Sequence, residues 1–80
     1  MTAYTLLDRR PTVDELMSLR ARCGLSPKSR KAAERGIAGT LFGVVITAGD
    51  ETIGMGRVVG DGGTAYQIVD MAVLPEHQGQ

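Results

Sequence analysis

The residues best suited to chemistry lie towards the end of this 80-residue sequence. Asp70 is a carboxylate inside the otherwise apolar run Ile68-Val69-Asp70-Met71-Ala72-Val73-Leu74. Leaving it buried and unpaired would be costly, so it is hydrogen-bonded, exposed or used in proton transfer. After Pro75 the chain reads Glu76-His77-Gln78-Gly79-Gln80. A glycine among polar residues after a strand lets backbone N–H groups approach an anion, and it equally suits a solvated turn. His77 brings an imidazole, the side chain most often used for proton transfer, but occupies a polar loop position, where an exposed residue is expected. Cys23 is the sole cysteine, with arginines beside it. A small core residue is the better reading of it than a nucleophile. Gly54-Met55-Gly56-Arg57-Val58-Val59-Gly60 superficially matches a dinucleotide fingerprint, but its third glycine is one place late and no helix follows.

These residues need a scaffold, and local signals predict one. Tyr4 to Leu7 reads as a first strand, stopped by Asp8, Arg9, Arg10 and Pro11. Thr12, three residues before Glu15, forms a capping box signature and opens a helix over Thr12 to Cys23. Val13, Leu16, Met17, Leu19 and Cys23 supply its apolar stripe, Arg20 and Arg22 suit the dipole of its last turn, and Gly24 ends it. Ser26-Pro27 predicts a second helix beginning at Pro27 and running to about Arg35. Its apolar side is little more than Ala32 and Ala33. Its basic residues, Lys28, Arg30, Lys31 and Arg35, form either a solvated face or an approach to a substrate.

Leu41 to Thr47 is rich in β-branched residues and predicts a buried strand. Gly49-Asp50 turns it into a partner strand over Ile53 to Val59, on which Arg57 faces either a cleft or solvent. Gly60-Asp61-Gly62-Gly63 turns again into a strand over Ala65 to Leu74. The resulting class is α+β, in the order β-α-α-β-β-β with an antiparallel meander.

Composition narrows the function. The chain is 42% hydrophobic and 22% charged, too apolar for intrinsic disorder, and its length suits one small domain. Basic and acidic residues number 9 each, so the zero net charge argues against a nucleic-acid partner. One cysteine makes no internal disulfide, and no Cys/His cluster suggests a metal. The apolar stretch from Leu41 to Ile46 is far shorter than the roughly 20 residues of a membrane span. With no leader-like N-terminus, these features lead us to expect a cytoplasmic protein with no membrane partner.

The run Ile68 to Gln80 resembles the fourth strand and following loop of the GNAT superfamily of acyl-CoA-dependent N-acetyltransferases. That loop reads Gln/Arg-x-x-Gly-x-Gly/Ala, and Gln78, Gly79 and Gln80 fill its first three places. The preceding order of elements is similar to the family's N-terminal half. The resemblance therefore covers nearly the whole chain. It implies that residues 1–80 are the N-terminal part of a single N-acetyltransferase domain without its later helices and strands.

The implied reaction moves acetyl from acetyl-CoA, a co-substrate, to a primary amine on a small molecule or peptide by direct attack. Gln78, Gly79 and Gln80 would hold the pyrophosphate. The backbone of Met71 and Val73 would pair with the pantetheine arm, and the amides of Met71, Ala72 and Val73 would polarise the thioester carbonyl. Some relatives carry a glutamate base where Gln67 stands here, and Gln67 cannot titrate. Asp70 acting through water is then the candidate catalytic residue, against a structural role bonding neighbouring backbone. The expectation for the 80-residue chain alone is inactivity, with the open edge of its last strand available for pairing in a homodimer. The alternative is a non-enzymatic α+β interaction module that dimerises through that strand.

Overall fold

The computed structural model describes residues 3–78. Its elements follow the expected order: β1 (Tyr4–Leu7), α1 (Val13–Arg22), α2 (Arg30–Ala38), β2 (Phe42–Ala48), β3 (Glu51–Gly60), β4 (Tyr66–Val73) and a short 3-10 turn (Pro75–His77). The strands form one antiparallel sheet in the order β1-β2-β3-β4, so β1 and β4 are its edges among the described residues. The two helices cover one face. Leu16 and Leu19 of α1 and Ala33 of α2 pack there with Ile53, Met55, Ala72 and Leu74.

Helix α1 shows how closely local chemistry sets boundaries. The Thr12 hydroxyl accepts from the Glu15 N–H at 3.1 Å, and the Glu15 carboxylate accepts from the Thr12 N–H at 2.8 Å, the reciprocal capping box. At the other end Gly24 takes φ 73°. There the Gly24 N–H donates to the Ala21 carbonyl and the Leu25 N–H to the Arg20 carbonyl, a Schellman closure.

The Glu15 carboxylate also binds the Arg9 guanidinium at 2.8 and 3.0 Å and accepts from the Thr52 hydroxyl at 2.6 Å. The Arg9 contact leads in holding it at about 2, below the ordinary 4.5, with the Thr12 and Thr52 hydrogen bonds assisting against partial burial. A depressed carboxyl contributes stability that is complete above its unfolded value and disappears as pH falls through its folded one. Wild-type stability is therefore expected to decline between about pH 5 and pH 2. Glu15→Gln, which keeps the capping box but loses the charge facing Arg9, should flatten that limb and cost about 1 kcal/mol at neutral pH. Urea melts across this range check both; an unchanged acid limb would refute the assignment.

Helix α2 departs from the sequence expectation at both ends. It is capped by Ser29, whose hydroxyl accepts from the Ala32 N–H at 3.1 Å, and it starts at Arg30, not at Pro27. Ser26 is engaged elsewhere, its carbonyl and hydroxyl accepting from Arg20. The helix runs through Gly36 to Ala38, so Ile37 joins the packed side while Ala32 is exposed. Strand β2 is also less enclosed than expected: Val45 is buried, but Phe42 on the opposite face is half exposed. That face bears no helix among the described residues, and Leu6, Ile68 and Met71 are exposed there as well.

Candidate active-site strand

Strand β4 contains an irregularity. Met55 pairs with Ala72 and Arg57 with Val69, so the single residue Gly56 on β3 stands opposite both Asp70 and Met71. This is a β-bulge, with the extra residue on β4. Asp70 sits at φ 53°, the one non-glycine residue with positive φ among those described. The bulge resets the alternation of β4, so that Val69 and Ala72, three apart, share the helix-covered face.

Past the bulge, the Leu74 N–H donates to the Ile53 carbonyl at 2.8 Å. Alternation then directs the backbone of Ala72 to β3 and that of Met71 and Val73 to the open edge. The Val73 carbonyl is engaged from within the chain, accepting from Gln78 Nε2 at 2.9 Å and from the Cys23 thiol at 3.4 Å. Met71 exposes 67% of its surface. The turn Pro75–His77 follows, its His77 N–H donating to the Leu74 carbonyl at 2.9 Å, and carries the chain from the strand end to Gln78. Gly79 and Gln80 lie outside the described residues.

Asp70 points the other way, under the helices. One oxygen accepts from Arg20 Nη1 at 2.5 Å; the other accepts from Arg57 Nε at 2.8 Å and Arg57 Nη2 at 2.6 Å. The three side chains are only 9% (Asp70), 11% (Arg20) and 10% (Arg57) exposed. Arg20 also donates to the Ser26 carbonyl, and Arg57 Nη1 donates to the Gly36 carbonyl at 2.7 Å and the Thr40 hydroxyl at 2.8 Å. The carboxylate thus bonds side chains of α1 and β3, not neighbouring backbone. Arg57, left between cleft and solvent by the sequence, faces the helices.

Gln67 is exposed on β4 opposite Val59, well before the bulge. His77 is half-buried, not exposed: its Nδ1 lies 3.0 Å from the Tyr4 hydroxyl, with the two rings edge to face. Cys23 packs at the core margin, as a small core residue would. Among the described residues no group of His, Cys, Asp and Glu is arranged to hold a metal ion. No described helix is long and apolar enough to cross a membrane.

An antiparallel sheet built as strand, two helices and meander is a GNAT-like α+β fold. Solved structures share this fold. A protein of unknown function from meticillin-resistant Staphylococcus aureus, described as a probable acetyltransferase, superposes with a TM-score of 0.89 at 49% identity over 98% of this chain and 59% of its own. A GNAT family acetyltransferase from Streptococcus pneumoniae TIGR4 superposes with a TM-score of 0.82 at 23% identity, over 98% and 58%. This chain therefore spans somewhat over half the length of either. No protein-family model matches the sequence, and no curated protein matches it.

Proposed function

We propose that the chain supplies the acetyl-CoA-binding strand and the start of the pyrophosphate loop of an N-acetyltransferase acting on a primary amine. The observation that carries this reading is the bulged edge of β4, whose Met71 and Val73 backbone is directed outwards just before the chain turns to Gln78. An amide-bearing pantetheine arm is a strand mimic and pairs with such an edge through main-chain hydrogen bonds. Because the Val73 carbonyl is engaged by Gln78 and Cys23, the groups offered are the Met71 N–H and C=O and the Val73 N–H. An amide N–H on that edge is the donor a thioester oxygen needs as negative charge develops on it.

In the proposed reaction the neutral amine attacks the thioester carbonyl, the C–N bond forms, the C–S bond breaks, the nitrogen gives up one proton to become the amide, and the departing sulfur takes up a proton so that coenzyme A leaves as the thiol. Gln78 to Gln80 would begin the pyrophosphate cradle. The acceptor is a primary amine on a small molecule or peptide.

The first test is titration of the isotopically labelled chain with coenzyme A, followed by amide resonances. Met71, Val73 and Gln78 are expected to shift, and acetyl transfer by the 80-residue chain alone should not exceed the buffer rate. Completed to the length of its structural neighbours, the protein should acetylate primary amines from acetyl-CoA. Absence of both the shifts and this turnover would overturn the reading.

The same open edge supports the alternative, in which a second copy pairs with β4. Sedimentation separates the two. A dimer dispersed by coenzyme A means that both use the edge, whereas a stable dimer indifferent to coenzyme A favours the interaction module.

A further inference from the structure

We infer that the Arg20–Asp70–Arg57 cluster is a clamp that sets the register of the last residues of β4. On the acetyltransferase reading, on which this half of the inference rests, Asp70 is then a positioning residue and not the proton acceptor. A left-handed conformation at a non-glycine residue persists only where its surroundings impose it. At Asp70 the imposing groups are visible. Three guanidinium hydrogen bonds from two different elements converge on one carboxylate. Each guanidinium is itself fixed, Arg20 by Ser26 in the connection between the helices and Arg57 by Gly36 and Thr40 at the end of α2.

The consequence lies in the two residues after Asp70. A one-residue slip in a strand exchanges its faces. If the bulge closed, Met71 would take the place of Ala72 opposite Met55 and enter the core. The outward peptide groups would become those of Ala72 and Leu74, which now face β3. The clamp thus decides which amides stand on the open edge. It offers little to a ligand directly, since both carboxylate oxygens already accept guanidinium hydrogen bonds and no buried side-chain polar atom among the described residues lacks a partner.

The test reads the register without requiring activity. In the labelled 80-residue chain, cross-strand Hα contacts should join Gly54 to Val73, the non-hydrogen-bonded pair next to Met55 and Ala72, and the Ala72 amide should exchange at least 100-fold more slowly than the Met71 amide. Asp70→Asn, which tolerates the left-handed conformation but carries no charge, should abolish that difference or give a second set of Met71 and Ala72 resonances. Arg57→Lys keeps the charge but loses the fork, and should give the same result in weaker form if the asparagine variant does not fold. In the unaltered chain the Arg57 Nε–H should exchange slowly. A fast Nε–H, or variants that keep the Gly54 to Val73 contact and the exchange difference, would overturn the clamp whatever the protein's activity.

In the completed enzyme, Asp70→Asn should lower kcat at least tenfold, leave the KM for amine within threefold, and retain the acidic limb of the pH profile. Disappearance of that limb would instead make Asp70 the base. A completed enzyme with no turnover, alongside an intact register result, would refute the acetyltransferase reading and leave the clamp standing.

Discussion

Gly60→Val is expected to destabilise the chain by at least about 4 kcal/mol and to leave little folded protein at 25 °C. A side chain here meets backbone, which has nowhere to move: a Cβ on Gly60 would lie 1.9 Å from the Ala65 carbonyl oxygen and 3.0 Å from the Tyr66 Cα. The Ala65 carbonyl is itself held by the Asp61 N–H at 3.1 Å, closing the turn between β3 and β4. Backbone strain adds to this, since φ at Gly60 is 156° and such conformations cost about 1–3 kcal/mol for other residues.

The control is Gly62→Ala in the same turn. Gly62 also has positive φ, 80°, but a Cβ there meets nothing within 4 Å. It should lose only the conformational part, about 1–2 kcal/mol. Urea denaturation of both variants decides the matter. Equal losses would mean that the turn rearranges freely and that the close approach at Gly60 does not constrain it.

That turn also displays a carboxylate acting mainly on backbone. Asp61 accepts from the N–H groups of Gly63, Thr64 and Ala65 at 2.7, 3.0 and 3.1 Å. These bonds, Gly63 first, hold its carboxyl below the ordinary value although it is fully exposed. The turn was legible from Gly60-Asp61-Gly62-Gly63 because its chemistry is local. So was α1, where Thr12, Glu15 and Gly24 each act within a turn of the chain. Helix α2 was misread because two serines compete to cap it. Ser26 precedes a proline, the stronger local signal, but the side chain of Arg20, on the preceding helix, occupies it. Ser29 is left to do the capping.

The clamp is the part of the site that local reading missed, and a signal for it was present. Arg20 stands four residues after Leu16 and three before Cys23, on the apolar stripe of α1. Arg57 continues the alternation of Ile53 and Met55 along β3, and Asp70 shares its parity with the core residues Ala72 and Leu74. Three charged residues therefore lie on three apolar stripes with a residual sum of plus one. Read together, they predict a buried ionic cluster; read element by element, Arg20 is a dipole partner and Arg57 faces either a cleft or solvent. The bulge at Asp70 was not legible, because Val69 and Ala72 look like members of opposite faces until the β3 register is known.

The same charge arithmetic makes the three members of the cluster unequal. Asp70→Ala leaves two guanidiniums about 90% enclosed with no counter-charge, whereas Arg57→Met leaves the Arg20–Asp70 pair intact and neutral. Removing one partner of a buried ion pair costs about 3–5 kcal/mol because the other charge remains desolvated. Asp70→Ala should reach that range, with up to about 1–2 kcal/mol more for placing alanine in a left-handed conformation. Arg57→Met should cost less than half as much, since the methionine fills part of the aliphatic volume and its loss is confined to hydrogen bonds at Gly36, Thr40 and one carboxylate oxygen. In a chain this small, total stability lies near the lower end of about 5–15 kcal/mol. Asp70→Ala is therefore expected to be largely unfolded in water and Arg57→Met to be folded with a lowered urea midpoint. The reverse order would mean that Arg20 and Arg57 reach solvent or other acids in the folded chain, and that Asp70 does not anchor them.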